Sequence, residues 1–176
     1  MPSHSHGREA ADASAGPAPA QEAANHDGPR VIAPPPVIYL GGLAVGFGLQ
    51  GKLPGTAVPA AVRWPLGCGL LAAGGLLARS FFRAFAAAQT PVSPYRAPTR
   101  LVTTGPYRVT RNPGYLGMAL VYAGIALTAE ALWALIPLAV VVVVIDRGVI
   151  AREERYLTHA FGDEYLCYQR QVRRWI

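Results

Sequence analysis

Lysine is nearly missing from this 176-residue chain: Lys52 is the only one, and arginine supplies the rest of the sixteen basic residues. Cysteine is as scarce. Cys68 lies inside an apolar run and Cys167 near the C-terminus, so the pair cannot build a disulfide framework and has no metal-ligand spacing. No Ser/His/Asp arrangement and no zinc pattern occurs; His4, His6 and His26 sit among the first thirty residues, and His159 reads as a surface or helix-end residue. The glycine patterns Gly46-Phe47-Gly48 and Gly67-Cys68-Gly69 have no soluble strand before them and no Lys-Ser/Thr after them, which excludes a nucleotide loop and leaves helix-packing glycines. Acidic residues are absent from the whole stretch Arg79 to Arg111. A net charge of +6 would suit nucleic acid, but the arginines border apolar runs, where positive charge marks the cytoplasmic side of a membrane. No nucleic-acid partner is expected.

What is present is apolar. Hydrophobic residues make up 52% of the chain and charged ones 15%, with a mean hydropathy of +0.25, although the first thirty residues are almost wholly polar, Ala, Gly and Pro. The apolar residues are therefore concentrated downstream, which predicts an all-α integral membrane protein. Residues 1–30 lack periodicity and a signal-peptide core and read as a disordered tail, with residues 31–176 as a single membrane domain. Transmembrane helices are expected at about 36–50, 64–85, 114–129 and 131–148. The second carries Arg79 and Arg83 late enough to snorkel to an interface. The third and fourth are separated only by Glu130, and as one helix they would run about 48 Å against a hydrocarbon core of about 30 Å.

Charge decides between one steep helix and a tight hairpin. Arg79, Arg83, Arg96, Arg100, Arg108 and Arg111 precede the third segment, and Arg152, Arg155, Arg170, Arg173 and Arg174 follow the fourth. Both clusters belong in the cytoplasm, which requires an even number of crossings between them and hence a hairpin turning near Glu130. Only Lys52 and Arg63 lie between the first two segments, so both termini are expected to be cytoplasmic, in a multi-pass protein of a prokaryotic inner membrane.

The loop 96–113 and the C-terminal helices 149–176 hold the polar chemistry. Gly105-Pro106 and Asn112-Pro113-Gly114 break the stretch 99–117, which also carries Tyr107, Tyr115, Arg100, Arg108, Arg111 and clustered threonines. Such a stretch is either a turn-rich connector or the wall of a cofactor site, suited to a flat heterocycle, a ribose and a carboxylate. Further on, Glu153 and Glu154 share an apolar face with Ile150, Leu157 and Phe161. They are either an ion-pair network with Arg111, Arg147 or Arg152, or a pair that repels unless a bound ammonium or sulfonium sits between them. Gly162 is expected to stop that helix and Asp163 to cap a second, with Tyr165, Tyr168, Val172 and Trp175 along one side and Arg170, Arg173 and Arg174 on the other. That pattern fits a helix at the headgroup level or one packed on the protein's own loops.

Gly-Pro-Tyr-Arg at 105–108, Arg-Asn-Pro-Gly-Tyr-Leu-Gly at 111–117, and Arg-Glu-Glu-Arg-Tyr-Leu from 152 followed by Phe-Gly-Asp-Glu-Tyr to 165 resemble the isoprenylcysteine carboxyl methyltransferase and phospholipid methyltransferase superfamily. The likeness covers roughly Phe82 to Ile176, with the first two spans similar only in character. It implies a membrane enzyme that takes S-adenosylmethionine from the cytoplasm and a lipid or other lipophilic acceptor from the bilayer, with a carboxylate, amine or thiol receiving the methyl group. The implied cofactor residues are Thr99, Arg100, Leu101, Val102, Tyr107, Asn112, Pro113, Gly114, Tyr115 and Glu153; Arg111 and Glu154 are the implied catalytic residues; and no metal is implied. Two positions depart from the pattern. Asn112 stands where the family has histidine, which removes an imidazole, and Val149 stands where the eukaryotic prenylcysteine enzymes have a substrate-binding arginine. The competing readings are an NADPH-dependent reductase of the sterol reductase type and a non-catalytic lipid-binding membrane protein.

Overall fold

The computed structural model describes residues 33–55, 57–90 and 100–176, so the expected tail at 1–30 and Thr99 of the loop lie outside the described residues. Within them every regular element is helical: α1 (Pro35–Gln50), α2 (Ala60–Ala88), α3 (Pro113–Thr128), α4 (Leu135–Val144), α5 (Ala151–Phe161) and α6 (Asp163–Gln171). A 3-10 turn at Leu132–Ala134 and a π turn at Ile145–Ile150 join α4 and α5 into one continuous thirty-residue rod, Leu132–Phe161. The rod and α2 are long and apolar enough to cross a membrane; α1 and α3 are shorter apolar helices.

Of the four expected helices, 36–50 and 114–129 are found nearly as expected, and the other two differ at their boundaries. α2 runs from Ala60 to Ala88, beyond the expected 64–85, and the fourth helix passes 148 without a break. The physical reason is burial: Ile145, Val149 and Ile150 are fully buried, and holding all three inside keeps the backbone helical into the charged segment. The C-terminal helix that carries the two glutamates is therefore an extension of the rod rather than a separate surface helix.

Close approach of glycines sets the packing. Gly67 and Gly74 of α2 face Gly124 and Gly117 of the antiparallel α3, both pairs spaced seven apart. A Cβ on Gly74 would sit 2.8 Å from the Gly117 carbonyl oxygen, and one on Gly124 would sit 2.9 Å from that of Gly67. The two backbones thus touch, a geometry common between apolar helices in lipid. α1 approaches the rod in the same way, with Gly42 against Val141 and Gly46 against Ala134. Gly48 and Gly69, also expected to pack, face open space; residues two apart on a helix point to nearly opposite sides.

Between α3 and the rod the chain reverses in three residues. Ala131 N–H donates to the Ala126 carbonyl at 2.8 Å and Glu130 N–H to that of Leu127 at 3.1 Å, a Schellman closure with Glu130 in the left-handed region at φ 55°. Ala126 and Ala131 are both fully buried, the apolar contact that accompanies this motif. Glu130 pairs with Arg63 at the start of α2, and Trp133 Nε1 donates to the Pro54 carbonyl at 2.9 Å, tying one end of the bundle. Leu40, Leu76, Phe82 and Val140 point outward, each more than half exposed, as suits a hydrocarbon solvent. The polar residues of the loop and C-terminus collect at the other end.

Candidate functional site

The loop enters the site through a turn that only its sequence can make. Gly105 at φ +63° and Pro106 start the 3-10 turn Gly105–Arg108, which lays Tyr107 against Phe81 and Phe85 of α2 with ring centroids 6.3 and 6.1 Å away. Tyr168 of α6 donates its hydroxyl to the Tyr107 carbonyl at 2.7 Å. Thr110 Oγ1 then accepts the Asn112 N–H at 3.1 Å, and Pro113, fully buried, opens α3 as its first residue.

Adjacent residues on a helix diverge by about 100°, so Glu153 and Glu154 face different walls. Glu153 turns to α3 and accepts the Tyr115 hydroxyl at 2.6 Å. Neither Arg111 nor Arg174 pairs with it. Burial pushes its carboxyl up to about 7; the Tyr115 hydrogen bond pulls against that rise, and the charge of Glu154 adds to it. The Tyr107 hydroxyl is also pushed up, first by burial and then by the charges of Tyr168 and Glu153. Glu154, only 9% exposed, is saturated instead: Arg111 lies 3.0 Å from Oε1, Arg174 Nε donates to the same oxygen at 3.2 Å, and a second Arg174 nitrogen donates to Oε2.

The expectation that one bound cation must separate two repelling acids is thereby corrected. Arg111 and Arg174 neutralise Glu154 and leave Glu153 to the Tyr115 hydroxyl. Of the other expected arginine partners, Arg147 lies 3.8 Å from Asp146 rather than on either glutamate.

The implied cofactor residues fall into groups. Tyr107, Tyr115 and Glu153 converge. Asn112 is buried and its amide donates to the Arg174 carbonyl at 2.9 Å, while Gly114 lies against Phe81. Val102 is buried, Leu101 half-buried and Arg100 exposed, upstream in the loop. The implied catalytic pair, Arg111 and Glu154, meets on the other side of α5. There it lines an open groove of about 660 Å³ with Leu166, Gln169, Arg170 and Arg174; Glu153 does not line it.

Four participants were not foreseen: Thr110, Asp146, Arg174 and Trp175. Arg174 was assigned to an outward basic side, yet it points inward. The chain leaves α6 at Gln171, and Val172 is extended, so the helical stripe ends before Trp175 and the arginine's direction changes. Gly162, at φ 53°, does stop α5 as expected; Asp163 makes no capping hydrogen bond and is instead the first residue of α6. Tyr165 and Tyr168 are buried against the protein's own loop, which selects that alternative over the headgroup level. Trp175, part of the expected apolar stripe, does pack on the core.

An uncharacterized protein of Haemophilus influenzae is 54% identical over 35 residues, which is 20% of this chain and 56% of that protein. The chain thus spans about half the length of that relative. No solved structure matches. The phospholipid methyltransferase family model matches residues 62–164. The match begins twenty residues before Phe82, where the resemblance was expected to start, so it takes in nearly all of α2 as well as the loop, α3, the rod and the opening of α6. The glycine contacts between α2 and α3, the tyrosine-bonded acid and the broken loop lie inside that match, and the chain belongs to the phospholipid methyltransferase family, within the isoprenylcysteine carboxyl methyltransferase superfamily.

Proposed function

We propose that the protein is an integral-membrane methyltransferase that moves a methyl group from S-adenosylmethionine to a lipophilic acceptor bearing a carboxylate, amine or thiol. Family membership supports methyl transfer. The unequal treatment of the two adjacent acids carries the cofactor assignment: Glu154 is neutralised by Arg111 and Arg174, whereas the part-buried Glu153 turns away from both and accepts the Tyr115 hydroxyl. A carboxylate so placed fits a ligand that brings a positive ammonium or sulfonium.

The residues that would hold the cofactor are Glu153, Tyr115 and Tyr107 at the centre, with Thr99, Arg100, Leu101, Val102, Asn112, Pro113 and Gly114 forming the loop around it. When bound, it supplies an electrophilic methyl group for an in-line displacement. The chain's own residues align the reactants and exclude water: Phe81, Phe85 and Tyr107 form an aromatic wall behind the loop. Arg111 and Glu154 orient the polar end of the acceptor from the groove.

In the same proposal residues 31–176 act as one domain. α1, α2, α3 and the apolar part of the rod, about 132–150, each cross the membrane, with α3 and the rod as a hairpin turned at Glu130. Both termini and the site face the cytoplasm of a prokaryotic cell. α1 and α3 have sixteen residues each, about 24 Å of helix against a core of about 30 Å, and are accommodated by local thinning of the bilayer.

The test is calorimetric titration of the detergent-purified protein with S-adenosylhomocysteine, beside Glu153→Gln and a parallel titration with NADPH. Binding of S-adenosylhomocysteine that is weakened about 10 to 150-fold in the variant is expected. Absence of binding to the folded wild type, or binding of NADPH in its place, refutes the assignment.

A further inference from the structure

The last five residues form a fastener between the two halves of the site. The Arg173 carbonyl accepts the Arg111 N–H at 3.0 Å, and the Arg174 carbonyl accepts both the Thr110 hydroxyl at 3.0 Å and the Asn112 amide at 2.9 Å. On the opposite side of the same residue, the Arg174 guanidinium donates to both oxygens of Asp146, at 3.3 and 3.2 Å, and to both oxygens of Glu154. Trp175 Nε1 adds a bond of 2.9 Å to Asp146. One residue therefore holds the loop by its main chain and the rod by its side chain.

The π turn makes this reach possible. Asp146 and Glu154 are eight positions apart, which in an unbroken α-helix leaves them about 80° out of phase. The π turn at Ile145–Ile150 absorbs one extra residue, so the eight positions act as about seven and both acids come onto one face. A single guanidinium then serves both. Glu153 projects from the rod segment so fastened, and Tyr115 from the helix that starts at the fastened loop.

We propose that Arg174 is a positioning residue: it sets the loop and the rod in register, so that Glu153 and Tyr115 meet, and it acts on the cofactor only through them. This rests on the cofactor reading above and extends it to a segment beyond the family match, which ends at residue 164. Arg174 also neutralises Glu154, whose charge acts on Glu153 from the same helix. The other groups facing Glu153 are Tyr115 from α3, Tyr107 from the loop and Tyr165 from α6.

The experiment measures the affinity of detergent-purified full-length protein for S-adenosylhomocysteine as a function of pH, in the wild type, Arg174→Gln, Arg174→Lys, Trp175→Phe and Arg147→Gln. Arg174→Gln is expected to weaken binding by about 10²-fold, the scale of a misplacement near 1 Å. It is also expected to move the midpoint of the pH profile upward, because the Arg174 cation no longer offsets the Glu154 carboxylate beside Glu153. Arg174→Lys restores part of the affinity and most of the midpoint, since the charge survives and the two-pronged geometry does not. Arg147, with its side chain 84% exposed, is the control, and its variant binds as the wild type does. A folded Arg174→Gln protein with wild-type affinity and an unmoved midpoint overturns the proposal. If that variant does not fold, Arg174→Lys and Trp175→Phe decide, and wild-type binding in both overturns it. Wild-type binding that Glu153→Gln weakens leaves the cofactor reading standing whatever Arg174 does; failure of the wild type to bind refutes that reading and this proposal together.

Discussion

Replacing Glu153 by glutamine should push stability and binding in opposite directions. Glutamine keeps the shape and can still accept the Tyr115 hydroxyl, so the 2.6 Å contact has a successor. What disappears is a carboxyl that folding holds at about 7 instead of its ordinary 4.5. At about 1.36 kcal/mol per pH unit, the rise costs the fold about 3 kcal/mol wherever the group is ionised in both states. The sign follows from proton binding. Between about 4.5 and 7 the folded state holds the proton more tightly, so the wild type loses stability as pH rises through this window, reaching the full loss above 7. Glu153→Gln removes that loss and should melt higher than the wild type at about pH 8, with little difference below about pH 4. Binding of S-adenosylhomocysteine should fall by about 10 to 150-fold, the loss of one charged hydrogen bond of about 1.5–3 kcal/mol. Scanning fluorimetry across pH and calorimetry on the same preparations measure the two effects. A variant that melts lower than the wild type at alkaline pH, or that binds equally well, refutes the reasoning, because either result means that Glu153 is not a buried acid kept for a cation.

Four further outcomes follow from the same geometry. Wild-type affinity for S-adenosylhomocysteine should climb about tenfold per pH unit up to about 7 and then level, since Glu153 must lose its proton before it meets the ligand's ammonium; a flat profile contradicts this. Gly74→Val should destabilise by about 1–3 kcal/mol through its clash with the Gly117 carbonyl and Val121, whereas Gly75→Ala, with open space around it, should not; equal melting temperatures dismiss the glycine contact. Asn112→Ala should lower stability by about 1 kcal/mol, because Thr110 remains as a donor to the Arg174 carbonyl, and a loss far beyond that on denaturation would contradict so local a role. The exposed Cys167 on α6 should react with a membrane-impermeant maleimide in inside-out vesicles and not in right-side-out ones, with Cys167→Ser as control; the reverse pattern refutes a cytoplasmic site.

Much of the helical frame was legible because apolar runs and prolines mark it directly. Pro34, Pro59 and Asn112-Pro113 sit where α1, α2 and α3 start, and the runs that follow admit no other element of comparable length. The reversal at Glu130 followed from charge asymmetry and length rather than from any turn residue; its left-handed position is occupied by an acid, not glycine. Which glycines pack was only half legible. Composition shows that α1 and α2 are glycine-rich, but the contact faces depend on the partners, and Gly46 and Gly48 point to opposite ones.

The site shows where reading by period stops. Ile150, Leu157 and Phe161 correctly placed both glutamates on the inner side, yet an inner side has several walls. The wall each acid meets is fixed by elements far away: Tyr115 lies 38 positions from Glu153, and Arg174 lies 20 from Glu154. A strict α period also puts Asp146 out of phase with Glu154, so the extra residue in the π turn conceals the one pairing that would have revealed Arg174. The apolar stripe of α6, extended past Gln171 as though the helix continued, then assigns that arginine to the outside. Both errors have one physical origin: local propensity is read from neighbours in sequence, whereas burial of Ile145, Val149 and Ile150 and the docking of Trp175 are tertiary and override it. The π turn and the inward arginine belong together. The turn brings Asp146 and Glu154 onto one face, where a single guanidinium reaches both, and that guanidinium offsets the repulsion between two carboxylates of which only Glu154 has a second close arginine, Arg111.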